Sequence, residues 1–479
     1  MRPRYIAYII WLVIALMGVI CWLVPQDGFV VGEWTLRWPT LTEALDMEDS
    51  HASELIYDIP LDSAVCQNNG LDTIPPADTV PMKDSIVQMV TPVVPTVNLE
   101  QIETRTYLSA FYQALDSANV MPMRVVHYGD SQIEEDRITN ILRELWQKAY
   151  GGGGVGLIPL HQTIPTRTIH QHLTMDGVVQ PIKGGPKRYI IYGPRAMRLD
   201  SDKYGVMGQV AMMDTALVES SEDIVMHIEP MSKKLKSHNY FSRVRIMTDT
   251  AYLVQSIELT TDSGVSCPFI DTPCDQQSMR MLCCSLPDSS TTCQIHLQGK
   301  GAIYGVSLET ETGVMVDNIP MRGCSGNIFT RIDSTMLSQY YAVTNTRLII
   351  LQFGGNMIPQ TENPSTITGY VKTLRQQVRY IRACAPYASI LFIGPSDMST
   401  RIDGEMMTYP LVPYLDKLLK KMAQEEQIAY WSMYEAMGGY NSMVQWVENG
   451  LAGSDYVHFT RSGANKVGRM LSEWIAAGR

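Results

Sequence analysis

The chain reads as an α/β protein with a mostly parallel sheet and helices on both of its faces, interrupted by an all-β segment. Two features of the sequence predict this. Strand-like apolar runs alternate with runs of helical period near residue 124 and again after residue 346. Between them lies a long stretch of short apolar runs cut by Gly, Pro, Asp and Ser, without any sustained helical period. A third feature, an uncharged N-terminal run, predicts a membrane-spanning helix ahead of the folded part.

Arg2 and Arg4 precede Tyr5 to Val24, twenty residues without a charge, followed by Pro25 and Asp27. Twenty helical residues span about 30 Å, the thickness of a bilayer core. The basic flank comes first, which orients the short N terminus to the cytoplasm and the rest across the membrane. A cleaved signal peptide fits less well, because the run is longer than a usual signal core and no small-x-small site follows it. The expectation is an uncleaved anchor at 1–25 and an extracytoplasmic tether at 26–98, where Pro, Asp, Ser and Thr dominate.

Leu99 to Leu115 has helical spacing and leads into a strand-like run, Arg124 to Tyr128. Gly129-Asp130-Ser131 breaks that run, and Ile133, Ile138, Ile141, Leu142, Leu145 and Trp146 then recur at helical spacing, with Glu134, Glu135 and Asp136 expected in a solvated first turn. Gly151 to Gly154 reads as a tight helix exit, since no GK[ST] follows to make a phosphate cradle. The expected domain plan is a first α/β part at 99–162, a β-rich insert at 163–301 and a second α/β part at 302–479. The last part alternates strands at 347–353, 389–394 and 428–433 with helices at 367–383, 411–424 and 462–477.

Composition excludes some functions. The net charge of −11 and the lack of a lysine- or arginine-rich tract exclude a nucleic-acid partner. Nine cysteines occur, and Cys267, Cys274, Cys283, Cys284 and Cys293 fall within 27 residues. Their spacing is not that of paired zinc knuckles and no histidine stands in register, so one or two disulfides are expected in an exported protein, and no metal.

In an open α/β sheet function gathers at the C-terminal ends of strands. Gly129-Asp130-Ser131, Gly354-Gly355-Asn356 and Gly394-Pro395-Ser396-Asp397 each follow a strand-like run. Asp455 and His458, three apart, precede the last helix. A carboxylate so placed can orient one imidazole nitrogen while the other takes a proton from a serine hydroxyl. The bland alternative for Ser131 is a helix cap. Asp130 is read as bonding the turn around the serine, Ser396 and Asp397 as lining the cleft or closing the strand end, and His127 as a core histidine.

These blocks, in this order, resemble the SGNH or GDSL-like hydrolases. The resemblance covers about 99–156 and 301–479. It implies a three-layer α/β/α domain, a triad of Ser131, His458 and Asp455, and an oxyanion hole made by the Ser131 N–H, a glycine N–H and the Asn356 amide. The glycine block is matched by TGVMVDNIPMRGCSG at 312–326, in which a strand ends in an aspartate before a turn; Gly323 is the best position and Gly326 the second. HYGDSQIEEDR and the β-rich insert look similar to exported bacterial peptidoglycan O-acetylesterases that carry a carbohydrate-binding-like module. The cysteine cluster departs from that pattern.

What the resemblance implies is an esterase acting on O-acetyl groups of a cell-envelope or extracellular polysaccharide, without cofactor, held at the bacterial inner membrane and facing the periplasm. A glycan O-acetyltransferase using the same triad, a lipase, and a non-catalytic carbohydrate-binding envelope protein are the alternatives. The oligomeric state is left open by the sequence.

Overall fold

The computed structural model describes residues 29–31, 34–36 and 104–479, apart from short segments at 176–177, 180–185, 194–195, 214–223, 251–252, 262–263, 265 and 272–277. The expected membrane anchor and most of the tether lie outside the described residues; among those described, no helix is long and apolar enough to cross a membrane. The chain divides into units 1–64 and 65–479. Of the first, an antiparallel pair is described, Phe29–Val31 against Trp34–Leu36. All other elements belong to the second, of which the principal ones follow.

These elements are, in chain order, α1 (Ser109–Asp116), β1 (Met123–Gly129), α2 (Thr139–Tyr150), β2 (Gly156–Ile158), β3 (Ile169–Met175), β4 (Gln209–Met213), β5 (Ile224–Pro230), β6 (Phe241–Thr248), β7 (Leu253–Thr261), β8 (Arg280–Ser290), β9 (Cys293–Glu309), β10 (Val314–Pro320), α3 (Ser334–Val343), β11 (Thr346–Gln352), α4 (Pro364–Cys384), β12 (Ser389–Ile393), α5 (Val412–Glu425), β13 (Ala429–Trp431), α6 (Ser442–Glu448) and α7 (Arg461–Ala476). A 3₁₀ turn, Thr104–Leu108, leads into α1, so the helix expected from Leu99 is described only from residue 104 onward.

Five strands form the parallel sheet in the order β10–β1–β11–β12–β13. Numbered by their place in the chain this is 2-1-3-4-5, an order that reverses between the first and third strands and opens a crevice beyond their C-terminal ends. Every residue of β1 is buried, as a strand covered on both faces requires. Its alternation sorts the core into two layers. Met123 and Val125 pack with Leu142, Trp146 and Leu471 on one face, while Val126 and Tyr128 pack with Leu337, Leu374 and Leu419 on the other. The result is the expected α/β/α sandwich.

The strands between β2 and β9 form a separate antiparallel sheet, within which β9 pairs with β2, β4, β5, β6 and β7. Buried charge joins it to the parallel sheet. Arg124 on β1 is 1% exposed and donates to Asp317 on β10 at 2.6 Å, to Ser307 on β9 at 3.2 Å and to Glu309 at the end of β9. Glu309 also pairs with Arg243 at 3.0 Å and Arg245 at 2.6 Å on β6. Removing one member of such a network strands a buried charge, typically at a cost of about 3–5 kcal/mol. The expected strand ending in an aspartate is corrected here. β10 runs on through Asp317 to Pro320, because Asp317 is occupied inside the sheet by Arg124 and by the Leu157 N–H at 2.8 Å.

Two further expectations are met or revised locally. Gly152, at φ +107°, sits where a Cβ would lie 2.6 Å from the Val314 backbone, so the glycine run is a tight exit from α2 against β10. Cys284 is disulfide-bonded, whereas Cys283, Cys293, Cys324 and Cys384 are thiols.

Candidate active site

Ser131 follows β1 at the crevice between β1 and β11. The segment after it is not the α-helix that the apolar spacing predicts. Ser131–Asp136 is a 3₁₀ turn broken at Glu134 (ψ 157°) and Glu135 (φ 60°), and α2 begins only at Thr139. The reason is electrostatic. The acids expected in a solvated first turn face inward, with Glu134 and Asp136 each 3% exposed, and Asp136 bonds Arg143 at 2.5 Å. Glu135 is shared by Arg137 and Arg167, each at 3.1 Å. Turning these carboxylates inward toward arginines bends the backbone away from a helix.

Ser131 Oγ lies 2.8 Å from His458 Nε2, and His458 Nδ1 lies 2.7 Å from Asp455 Oδ2. With Nδ1–H donated to the carboxylate, Nε2 is left to accept the serine proton. The Asp455 loop is itself fixed: Oδ1 accepts the Val457 and His458 N–H groups, both at 3.0 Å, and the Gly453 N–H donates to His458 O at 2.8 Å. Burial pushes the Asp455 carboxyl up, but the His458 hydrogen bond and charge, with the backbone donors, overcome it and hold it below the usual range. Gln132, unremarked in the sequence, ties the two halves together by donating to Val457 O at 2.7 Å.

The other predicted residues gather on the opposite side. Met321 N donates to Gly129 O at 2.7 Å, which docks the turn bearing Gly323 against the serine turn. Gly323 is exposed at φ +70°, with open space where a Cβ would be, and its N–H, like that of Ser131, donates to no described residue. Gly326 is different: its N–H donates to Cys324 Sγ at 3.3 Å, and a Cβ there would meet the Phe353 ring at 2.7 Å. The geometry therefore favours Gly323 over Gly326 as an anion donor. Asn356 Nδ2 donates to Asp130 Oδ2 at 3.1 Å and to Cys324 O at 3.2 Å, so its amide is already held between the serine turn and the glycine turn.

Asp130 does bond its turn, accepting the Gln132 N–H at 2.9 Å, and it also positions Asn356. Burial pushes its carboxyl up to about 6 against the pull of these donors and of His458. Ser396 Oγ lies 3.4 Å from Gln132 Nε2, beside the serine turn. Asp397 is wholly buried and accepts from Thr408 Oγ1 at 2.8 Å and Met443 N at 2.8 Å, which closes the strand end onto α6. His127 is a core residue: it is fully buried, bonded to Gln352 and Thr139, and burial holds it neutral at about 3. Among the described residues no cluster of His, Cys, Asp or Glu could hold a metal ion.

The model of the GDSL-like lipase/acylhydrolase family matches residues 288–466, a span that contains Gly323, Asn356, Asp455 and His458. The likeness to the GDSL-like, or SGNH, hydrolases lies in this part of the chain. The match begins beyond Ser131, which the pairing of β1 with β10 and β11 brings to the same end of the sheet. No curated protein matches the sequence. A solved peptidoglycan O-acetylesterase aligns over 79% of this chain and 96% of its own, with a TM-score of 0.58 and 20% identity, a likeness of fold. A catalytic mutant of an acetylxylan esterase from Geobacillus stearothermophilus aligns over 34% of this chain and 73% of its own, at 15% identity and a TM-score of 0.26.

Proposed function

We propose that the protein is a serine esterase that hydrolyses O-acetyl esters on a cell-envelope or extracellular polysaccharide. The carrying observation is the continuous relay from Ser131 Oγ to His458 Nε2 at 2.8 Å and from His458 Nδ1 to Asp455 Oδ2 at 2.7 Å. His458 removes the serine proton as Oγ attacks the acetyl carbonyl, and Asp455 stabilises the imidazolium that forms. The tetrahedral oxyanion is taken by the N–H groups of Ser131 and Gly323, with one Asn356 amide hydrogen turning to it from Asp130 or Cys324. His458 then protonates the departing sugar oxygen. Water, deprotonated by the same base, releases acetate and restores the serine.

The acetylated glycan as substrate is supported by the fold likeness to a peptidoglycan O-acetylesterase. The charge-free run Tyr5–Val24 behind Arg2 and Arg4 supports a place at the bacterial inner membrane, with the hydrolase part in the periplasm. The test is acetate release from O-acetylated glycans by wild type and Ser131→Ala. The reading requires release that depends on Ser131. Equal release by both proteins overturns the serine mechanism, and Ser131-dependent acetyl transfer to added sugar exceeding hydrolysis makes the protein a transferase.

A further inference from the structure

The turn that carries Gly323 also carries Arg322, and neither the triad nor the oxyanion hole gives this arginine a task. Its side chain is 45% exposed, yet its Nη1 is drawn to within 3.7 Å of Glu134 Oε2, on a side chain only 4% exposed. Glu134 stands three positions after Ser131, in the broken turn. Its Oε2 is buried and accepts no hydrogen bond from any described group. Burial pushes the Glu134 carboxyl up, and Arg322 and Arg137 are the main charges that oppose it. At 3.7 Å the attraction is Coulombic and without a directional bond. A guanidinium has five donors in a planar fork, enough to answer Glu134 and a second carboxylate together.

Further arginines stand near the serine. Arg137 reaches Phe459 O at 3.5 Å, beside His458, and shares Glu135 with Arg167. Arg167 Nη1 is buried and donates to no described group, and Arg461, at the start of α7, adds its charge to that of Arg137 there. Asp136 is taken up by Arg143, and the other four arginines stand against the carboxylates of Asp130, Glu134, Glu135 and Asp455 around Ser131.

We propose that Arg322, tethered by Glu134, is a specificity-determining residue that binds an acidic group of the glycan, a carboxylate on the esterified sugar or its neighbour. This rests on the esterase reading and narrows its substrate class to anionic acetylated polysaccharides. Neutral acetylated glycans bind and react less well because nothing in them answers the guanidinium beside the oxyanion turn.

The test reads binding separately from chemistry. Calorimetry measures the affinity of Ser131→Ala, and of Ser131→Ala combined with Arg322→Gln or Arg322→Lys, for an O-acetylated oligogalacturonide and for its neutral methyl ester. The expected result is a preference of about tenfold to a hundredfold for the acidic form in Ser131→Ala, as a charge-assisted contact gives. Arg322→Gln abolishes that preference. Arg322→Lys keeps part of it, since the charge remains while the fork is lost. Equal affinity for the two forms in Ser131→Ala overturns the proposal, and so does an acid preference that survives Arg322→Gln. If wild type releases no acetate from any glycan while Ser131→Ala still favours the acid through Arg322, the esterase reading falls and the binding role stands.

Discussion

The turn at 129–131 and the loop at 453–458 each bring a carboxylate beside the same serine, in opposite environments. Asp130 is 5% exposed and accepts from the Gln132 N–H and the Asn356 amide; burial dominates and pushes it up to about 6. The Asp455 side chain is 51% exposed and accepts from two backbone N–H groups and the His458 ring; there the donors dominate and hold it below the usual range. The balance between desolvation and donors therefore sets two charge states within one site. Asp455 stays ionised beside the His458 ring, while Asp130 is a full acceptor for Asn356 only above about pH 6.

The strongest way to break this comparison is to remove the charge that is held low. Asp455→Asn keeps the size of the side chain but presents an amide to His458 Nδ1, which favours the wrong tautomer. A kcat lower by about 10⁴ on a simple acetyl ester is expected, the scale of the corresponding change in a serine triad. A loss of less than tenfold would mean that His458 needs no orienting carboxylate. Next in size is Asn356→Ala, which removes both the proposed oxyanion donor and the partner of Asp130. It is expected to lower kcat by about 10²–10³, with KM little changed; a change confined to KM assigns Asn356 to ground-state binding instead.

The sequence made Asp455 legible and hid the setting of Asp130. Asp455 and His458 are three apart in one loop, so their contact is local and spacing alone finds it. The contact from Asn356 to Asp130 spans 226 positions and exists only because β1 and β11 are neighbours in the sheet. The alternation of strands and helices was likewise legible from local period, including β11, β12 and α4, to within a few residues. The missed features have one origin. Glu134 and Asp136 read as a solvated helical turn because acids at a helix start usually are; Arg143, Arg137 and Arg322 turn them inward. Asp317 read as a strand end because its partner Arg124 lies 193 positions away. Paired buried charge looks like surface charge until the partner is known.

Asp130 offers the next test, on stability. Its proton is held more tightly in the folded chain, at about 6, than at the ordinary value of 3.8. Its contribution is thus fully favourable below about pH 4 and is lost as the pH rises toward 6, a difference of about two units or roughly 3 kcal/mol. Relative to Asp130→Asn, which cannot ionise, wild type should lose up to that amount between pH 4 and 6 and show a constant difference at higher pH. Urea unfolding of both proteins from pH 4 to 8 measures this. A difference that does not vary with pH means that Asp130 is not desolvated enough to titrate abnormally.

The Asp455 loop should respond to a small backbone change where the buried Asp130 turn would not, because hydrogen bonds rather than burial hold it. Thr460 closes this loop: its Oγ1 donates to Gly450 O at 2.7 Å and accepts the Gly463 N–H at 3.3 Å, capping α7 two residues after His458. Thr460→Ala leaves one α7 donor to solvent and frees the loop end, at a cost of about 1 kcal/mol in unfolding free energy. The loop still has the Gly453 to His458 bond and both N–H bonds to Asp455, so the triad distances should persist and kcat should fall by less than about threefold, under 0.7 kcal/mol. A stability loss of this size with kcat intact places the orientation of His458 in the Asp455 carboxylate. A parallel collapse of kcat would place it in the helix cap instead, and would make the relay a property of α7.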